Sequence, residues 1–315
     1  MNKKASVVTQ QAEEYQIRSL AMRLLNNRSA GNRRRKKISR FHRKRADAEQ
    51  RADLPLNRSI INTIGSFVAA LRFLSVIPLT GNFGTGKEEL ARAVPFFPLI
   101  GLLFGCIALP LTWGLNLIFP QPVTAVLTVL LLLAFSGGLH LDGLADTADG
   151  FFSARPRERI LEIMRDSVVG AMGVIALIML LFLKIACLAA MKEQLFLAVF
   201  LMPLAGRIAI LLLMPMLPYA RSEGGLGSLF KDSFHTRPAL LRALAAILVF
   251  SGIAWTAAGL QGILAVFAVL FITGIFALVC RHKIGGLTGD TLGAVCELAE
   301  AVVALVFVLN LRIIV

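Results

Sequence analysis

The hydrophobic positions of this chain fall into long blocks, unlike the short or periodic runs that are typical of soluble domains. Beyond residue 96, polar breaks separate apolar stretches of about twenty residues each, which is the length at which an α-helix crosses a bilayer. These stretches cover approximately residues 97–119, 122–140, 171–191, 195–217, 239–259, 262–280 and 292–314. Because a helix satisfies its backbone polar groups internally, the pattern predicts an all-α, polytopic membrane bundle of about seven transmembrane helices.

The stretch before these blocks is apolar but interrupted by polar side chains. Residues 59–80 contain Asn62, Ser66 and Arg72 among their hydrophobic positions. Such a segment favours an N-terminal helix that lies at the membrane interface. We predict that this helix and the spans form a single membrane-embedded catalytic domain at residues 59–315.

Composition supports the membrane class, and charge sets the N-terminal part of the chain apart. The chain is 57% hydrophobic, with a net charge of +14 and a mean hydropathy of +0.73. Residues 1–58 hold 16 Lys or Arg but only five Asp or Glu, so they carry a net charge of +11. We predict a basic, disordered cytoplasmic arm that lies against anionic lipid headgroups. Nucleic-acid binding is a weaker alternative, and we do not expect a nucleic-acid partner.

Basic residues are distributed unevenly between the loops. If the N-terminus is cytoplasmic, residues 59–96 and the loops at 141–170, 218–238 and 281–291 share its side, and they hold twelve Lys or Arg. The opposite loops hold only Lys192. Because cytoplasmic loops are enriched in basic residues, we predict a membrane protein whose N-terminus and polar loops face the cytoplasm.

The loop at 141–170 begins with an unusual acidic motif. Residues 140–150, HLDGLADTADG, place Asp142, Asp146 and Asp149 at spacings of four and three, which puts all three on one face of a helix. Carboxylates beside an apolar run suggest a site for a cation. Mg²⁺ prefers such hard oxygen ligands and often shares them with substrate phosphate. The three aspartates are therefore predicted metal ligands, with one or two Mg²⁺ ions at a phosphorus centre.

A second polar motif lies at residues 281–300, RHKIGGLTGDTLGAVCELAE. Asp290 stands at the predicted start of the last span, where it can face the first motif. Glycines beside both motifs would let phosphate approach the backbone N–H groups. These glycines are Gly143, Gly150, Gly285, Gly286 and Gly289.

Several charged residues near these motifs admit two interpretations. Glu297 and Glu300 are either catalytic or paired internally with Arg207 or Lys184. Arg207 lies in the middle of a span, where structural pairing and substrate binding are both open. His140 is a hydrogen-bonding partner, a general base or a helix-end packing residue. Basic side chains that could neutralise phosphate charge are Arg165, Arg281 and Lys283.

The two motifs resemble those of a known enzyme family. Residues 140–153, 163–174 and 285–300 resemble the cobalamin synthase family of adenosylcobinamide-GDP ribazoletransferases. RFLSVIPL at 72–79 and AVPFFPLIGLLFG at 93–105 resemble its N-terminal region. The resemblance covers nearly all of the chain after the basic arm, which has no counterpart in it.

The resemblance implies a magnesium-dependent membrane enzyme in the last assembly step of cobalamin biosynthesis. It would join adenosylcobinamide-GDP to α-ribazole, or to its 5′-phosphate, and release GMP. Our hypothesis is that the three aspartates of the first motif hold Mg²⁺ on the pyrophosphate while the ribazole 5′-hydroxyl attacks the cobinamide-linked phosphorus. Asp166 would complete the metal shell, Arg165 would contact phosphate, and Asp290 would bind metal or nucleotide. Homo-oligomers, or association with other cobamide-assembly enzymes, stay open.

Two other functions are compatible with parts of the sequence. CDP-alcohol phosphotransferases also use helically spaced aspartates, but their pattern D-G-x-x-A-R requires an arginine where this chain has Thr147. A transporter could line an ion path with Glu297, Glu300, Arg207 and Lys184. Internal repeats would support a transporter, and none is recognisable in the sequence.

Overall fold

The computed structural model describes residues 55–221, 230 and 236–309, and most of these residues are helical. Within these ranges the only β-type pairing is an isolated parallel bridge between Tyr219 and Leu287. The predicted all-α class is therefore confirmed. The prediction of a disordered basic arm lies outside the described residues, apart from its last four positions.

The N-terminal part contains one long helix and two short turns of helix. Helix α1 spans Pro55–Leu74, helix α2 spans Lys87–Ala91, and a 3₁₀ turn covers Val94–Phe96. The guanidinium group of Arg72 donates to the backbone carbonyls at positions 79, 81 and 83, at 2.7, 2.7 and 3.1 Å. These bonds fold the loop that follows α1 back onto the end of the helix.

The remaining described helices continue the chain in order. They are α3 (Phe97–Ile118), α4 (Gln121–Ser136), α5 (Leu139–Phe151), α6 (Arg157–Ile163), α7 (Ala171–Ala190), α8 (Gln194–Leu213), α9 (Arg237–Ile284) and α10 (Gly289–Val308). Five of them are long and apolar enough to cross a membrane, namely α3, α7, α8, α9 and α10. The number of candidate spans rises to six if α4 and α5 are counted together as one bent span. The chain is therefore a polytopic helical membrane protein, and the number of seven spans stays a prediction.

Helix α9 is broken in its middle. Gly259 has φ 54° and ψ −131°, which are not helical values. A Cβ atom on Gly262 would clash with the carbonyl oxygen of Ala254. These two residues would lie about 12 Å apart along a straight helix, so the chain folds back at Gly259. Its two arms correspond to the predicted spans 239–259 and 262–280.

The second predicted span, 122–140, is wrong at its C-terminal end. Helix α4 stops at Ser136, and α5 leaves it at an angle of 92°. Gly137 and Gly138 between them have φ values of 60° and 80°, a left-handed conformation that glycine adopts readily. The segment 141–170, predicted as a loop, contains most of α5 and all of α6.

Helix α8 forms the centre of the bundle. Most of its residues are buried, and it packs against α3, α9 and α10. On α3, a Cβ atom on Gly101 or Gly105 would clash with the α8 carbonyl oxygen of Pro203 or Phe200. Small residues thus let two helix backbones approach closely, as is common between membrane helices.

The outer surface of the bundle is strongly apolar. Large side chains of α4, α7 and α9 such as Leu130, Phe182, Leu248 and Phe271 are 53–74% exposed. A water-soluble protein rarely exposes so much contiguous apolar surface. These faces suit the hydrocarbon region of a bilayer.

The polar segments meet at one end of this bundle. Lys283 Nζ donates to the carbonyl of Phe151 at 2.7 Å, and Arg157 Nη2 donates to that of Ala220 at 3.3 Å. Leu287 N donates to the carbonyl of Pro218 at 2.8 Å, and Ala220 N donates to that of Leu287 at 2.7 Å. The described parts of the three loops predicted to share one side are thus in contact.

Candidate active site

Helices α5 and α10 carry the two acidic motifs, and they cross in close contact. A Cβ atom on Gly143 would lie 2.7 Å from the carbonyl oxygen of Asp290. A Cβ atom on Gly293 would lie 3.1 Å from the carbonyl oxygen of His140. Because neither glycine has a side chain, the backbones of the two motifs touch. The second motif therefore faces the first, as the sequence predicted.

Asp290 is held in place by an arginine that the sequence analysis did not single out. Its Oδ2 atom accepts from Arg221 Nη2 at 2.8 Å and from Thr288 Oγ1 at 3.2 Å. Arg221 Nη2 also donates to the carbonyl of Met164 at 3.2 Å. In the sequence Arg221 is one basic loop residue among several, and only the folded chain brings it to Asp290.

Two of the predicted phosphate-binding glycines position this arginine. Gly285 ends α9 with a left-handed φ of 68°. A Cβ atom on Gly286 would lie 2.5 Å from the carbonyl oxygen of Pro218. Gly286 therefore allows the bridge between Tyr219 and Leu287 to form, and this bridge leads the chain to Arg221. Gly289, the third predicted glycine of this motif, begins α10 and lines the cavity described below.

The carboxylates of the two motifs act on one another electrostatically. Asp142 is exposed, whereas Asp146 is half-buried. The negative charges of Asp142, Asp290 and Asp149 all act on the Asp146 carboxylate. A site with this excess of negative charge suits a cation.

Asp149 makes contacts that the sequence analysis did not anticipate. Its Oδ2 and Oδ1 atoms accept from the backbone N–H groups of Gly170 and Gly173, at 2.6 and 2.7 Å. A carboxylate at this position caps the N-terminus of α7 and complements the helix dipole. A Cβ atom on either glycine would lie 2.5 Å from the Asp149 carboxylate, so a larger residue at either position would displace this carboxylate. Any metal ligation by Asp149 would share a carboxylate that already caps a helix.

Oxygen ligands for a metal are present at the site, but they are not assembled around one point. Among the described residues, no three His, Cys, Asp or Glu side chains are grouped as a metal site. Asp142, Asp146 and Asp290 nevertheless provide the hard oxygen chemistry that Mg²⁺ prefers. Their predicted metal role stays a prediction.

Asp166 and Arg165 lie on an exposed turn after α6. The Oδ1 atom of Asp166 accepts from the backbone N–H of Val168 at 3.2 Å, which is a local turn contact. Neither side chain lines the cavity between the acidic motifs. Their predicted roles in metal and phosphate binding stay predictions.

A cavity of about 220 Å³ opens beside the crossing of α5 and α10, and we call it the crossing cavity. Its polar wall contains Asp142, His140, Arg221 and Asp290, and the rest is mainly apolar. The other lining residues are Phe73, Leu74, Phe97, Leu139, Gly143, Ile210, Met214, Phe230, Gly289, Leu292 and Gly293.

His140 lies between the crossing cavity and a second, much smaller one. The residue is only 3% exposed, and within the described residues its Nε2 atom has no hydrogen-bond partner. Buried polar atoms usually have a partner. The three interpretations of His140, as a hydrogen-bonding partner, a general base or a helix-end packing residue, therefore stay predictions.

Arg207 belongs to a cluster of four buried charges, which we call the buried ion cluster. Lys184 Nζ lies 2.7 Å from Glu297 Oε2 and 2.8 Å from Glu300 Oε2. Arg207 Nη1 lies 2.7 Å from Glu300 Oε1, and its guanidinium carbon is 5.2 Å from the ring centroid of Phe104. The internal ion pairs that the sequence left open are therefore confirmed. Arg207 lines the smaller cavity and not the crossing cavity, so its predicted substrate role stays a prediction.

Fold and site together define a polytopic helical membrane protein with a carboxylate-rich cavity at one end of its bundle. The family profile of cobalamin-5-phosphate synthases, CobS, matches residues 66–308. The chain therefore belongs to the cobalamin-5-phosphate synthase family, and the predicted resemblance is confirmed.

Curated relatives support this membership over nearly their whole length. An adenosylcobinamide-GDP ribazoletransferase of Desulforamulus reducens is 41% identical over 245 residues, which cover 78% of this chain and 96% of the relative. The enzyme of that name from Roseiflexus sp. is 40% identical over 238 residues, covering 74% and 85%. That from Clostridium botulinum strain Langeland is 38% identical over 254 residues, covering 80% and 99%. No solved structure matches the chain.

Proposed function

We propose that this protein is an adenosylcobinamide-GDP ribazoletransferase. It joins adenosylcobinamide-GDP to α-ribazole, giving adenosylcobalamin and GMP, or to α-ribazole 5′-phosphate, giving the phosphorylated product. The observation that carries the proposal is the contact between Gly143 and Asp290, since it unites the two family motifs at one cavity. Relatives that bear this name match over most of the chain.

The reaction exchanges one phosphorus–oxygen bond for another. A ribose hydroxyl oxygen bonds to the cobinamide-linked phosphorus, the bond from that phosphorus to the bridging oxygen breaks, and GMP leaves with the bridging oxygen. The hydroxyl proton is released. The 5′-hydroxyl of our initial hypothesis does not suit both acceptors, because in α-ribazole 5′-phosphate that oxygen already carries the phosphate that the product keeps. One mechanism for both acceptors therefore uses a secondary hydroxyl of the ribose.

The residues at the crossing of α5 and α10 have separate tasks in this proposal. Asp142 and Asp146 from α5, with Asp290 from α10, would hold Mg²⁺, which when bound neutralises charge on the diphosphate. Arg221 offers further guanidinium N–H groups to a phosphate oxygen. Its hydrogen bond to Asp290 keeps the guanidinium group directed at the cavity wall.

The two alternative functions are less well supported. The family match favours a corrinoid substrate over a CDP-alcohol. For transport, the four charges proposed to line an ion path are instead paired with one another in the buried ion cluster.

The proposed location is the bacterial cytoplasmic membrane, with the crossing cavity on the cytoplasmic side. The excess of basic residues in the loops of that side supports this orientation. It also gives soluble nucleotides direct access to the carboxylates.

A donor exchange tests the proposed function. Purified full-length protein in detergent, supplied with α-ribazole and Mg²⁺, should form GMP and adenosylcobalamin from adenosylcobinamide-GDP. A CDP-alcohol donor should give no CMP. If only the CDP-alcohol donor is turned over, the protein is a CDP-alcohol phosphotransferase. If neither donor is turned over, the proposal is rejected.

A further inference from the structure

The crossing cavity has an aromatic wall that the chemistry of phosphoryl transfer does not require. The rings of Phe73 and Phe97 are stacked with centroids 6.0 Å apart and an interplanar angle of 15°. The Phe230 ring meets both edge-on, with centroids 5.3 Å from Phe73 and 5.8 Å from Phe97. Three elements that are distant in sequence thus bring their rings to one place.

The polar residues of the same cavity stand beside this aromatic wall. Asp142, Arg221 and Asp290 line it together with the three rings. A ligand that matches this lining has a flat, apolar ring system at one end and hydroxyl or phosphate groups at the other. Phe73 is partly exposed and can bind such a ring by stacking, whereas Phe97 and Phe230 are buried and pack against Phe73.

The size of the cavity restricts which part of the reaction it can hold. Its volume of about 220 Å³ is below the ~300–1,000 Å³ of cavities that enclose drug-sized ligands. A corrinoid bearing a nucleotide is far larger than a drug-sized ligand. The cavity therefore suits a single ring system with its attached sugar.

We propose that the crossing cavity is the acceptor site, in which the heteroaromatic base of α-ribazole stacks on Phe73, whose ring is held in place by Phe97 and Phe230. This inference rests on the proposed function, because that function supplies the acceptor. The ribose then lies toward Asp142, Asp290 and Arg221, where its hydroxyl can meet the diphosphate of a donor bound at the exposed rim. The aromatic wall thus recognises the base of the acceptor, and the polar wall contacts the groups that react.

Substitutions that remove a ring but keep bulk test the assignment. Phe73→Leu should weaken α-ribazole binding at least about fivefold, because stacking on one aromatic side chain contributes about that factor or more. Phe97→Leu removes the ring that is stacked on Phe73, and it should weaken α-ribazole binding in the same direction. The KM for α-ribazole should rise in parallel, whereas the KM for adenosylcobinamide-GDP should stay within about twofold. Phe135→Leu is the matched control, since Phe135 stacks on Phe104 at 4.9 Å and does not line the cavity.

Direct binding separates this inference from the proposed function. Equilibrium dialysis of α-ribazole against the purified full-length protein needs neither donor nor turnover. If the wild-type protein forms no GMP but binds α-ribazole through these rings, the proposed function fails and the crossing cavity stands as an α-ribazole binding site. If both Leu variants bind α-ribazole like the wild type, or weaken donor binding equally, the acceptor site is rejected.

A ligand series on the wild-type protein provides a test that no folding defect can disturb. An α-ribazole analogue whose base is replaced by a saturated ring of similar size should bind at least about fivefold more weakly. The free base alone should compete with α-ribazole and not with adenosylcobinamide-GDP. Equal affinity for the saturated analogue, or competition with the corrinoid donor, would overturn the proposal.

Discussion

The carbonyl oxygen of Asp290 lies so close to Gly143 that a Cβ atom at position 143 would be only 2.7 Å from it. Both partners in this contact belong to backbone, so neither can rotate away as a flexible side chain would. Gly143→Ala should separate α5 from α10, because inserted volume at a tight contact typically costs about 1–3 kcal/mol. We expect a lower Tm and a fall in kcat/KM of at least about tenfold, since displacements near 1 Å are costly to catalysis.

Gly114→Ala is the control for this substitution. Nothing lies within 4 Å of a Cβ atom at Gly114, which is also in a helix. It should leave both Tm and kcat/KM almost unchanged. An active, stable Gly143→Ala enzyme would mean that the crossing is looser than the structure indicates.

The pair formed by Arg221 and Asp290 should behave as one unit in catalysis. Arg221→Gln and Asp290→Asn each break the 2.8 Å contact, so the double variant should lose less activity than the product of the two single losses. A double-mutant cycle on kcat/KM should give a coupling of about 1–3 kcal/mol. The exposed pair Arg159 and Glu162, whose side chains are 64% and 61% exposed, should show no measurable coupling. Strictly multiplicative effects of the Arg221 and Asp290 substitutions would show that the two residues act independently.

The aspartates of the first motif should differ in their effects on stability. Asp149→Ala removes the two hydrogen bonds that cap α7, and the loss of a helix cap typically costs about 0.5–2 kcal/mol. Asp142→Ala alters an exposed side chain, so it should reduce activity at an unchanged Tm. Thermal unfolding in detergent, measured beside GMP release, distinguishes these outcomes. Equal Tm values for wild type and Asp149→Ala would contradict the capping role.

The buried ion cluster should contribute to stability rather than to transport. Glu300→Gln leaves Lys184 and Arg207 with one carboxylate between them, and breaking a buried ion pair typically costs about 3–5 kcal/mol. Glu88→Gln, which alters an exposed pair with Arg92, should cost less than about 1 kcal/mol. Denaturant unfolding in detergent measures both values. A Glu300→Gln protein as stable as Glu88→Gln would assign the cluster a role other than stability.

The sequence was sufficient for features that depend on local composition. Apolar length alone placed α3, α7 and α8 within a few residues, because a bilayer demands about twenty apolar residues per helix. Helical spacing also placed Asp142 and Asp146 on one side of α5, since that spacing is a property of the helix itself.

Features that depend on contacts between distant segments could not be read in the same way. The bend at Gly137 was missed although Ser136, Gly137 and Gly138 form a turn signal, because Leu139 and Leu141 extend the apolar pattern beyond it. Arg221 resembled any basic loop residue until the bridge between Tyr219 and Leu287 brought it to Asp290. The sequence analysis gave no role to Phe73 or Phe97, because only the folded chain unites them in one cavity.

The most direct test of the account is magnesium-dependent GMP release by the purified full-length protein. With adenosylcobinamide-GDP and α-ribazole, the wild type should form GMP and adenosylcobalamin in equal amounts, and chelation of Mg²⁺ should abolish both. Asp146→Asn, which removes one negative charge from the acidic cluster, should lower turnover at least about tenfold and raise the Mg²⁺ concentration needed for half activity. Normal turnover of Asp146→Asn with unchanged magnesium dependence would contradict the metal role of this site. Failure of the wild type to release GMP would contradict the proposed reaction.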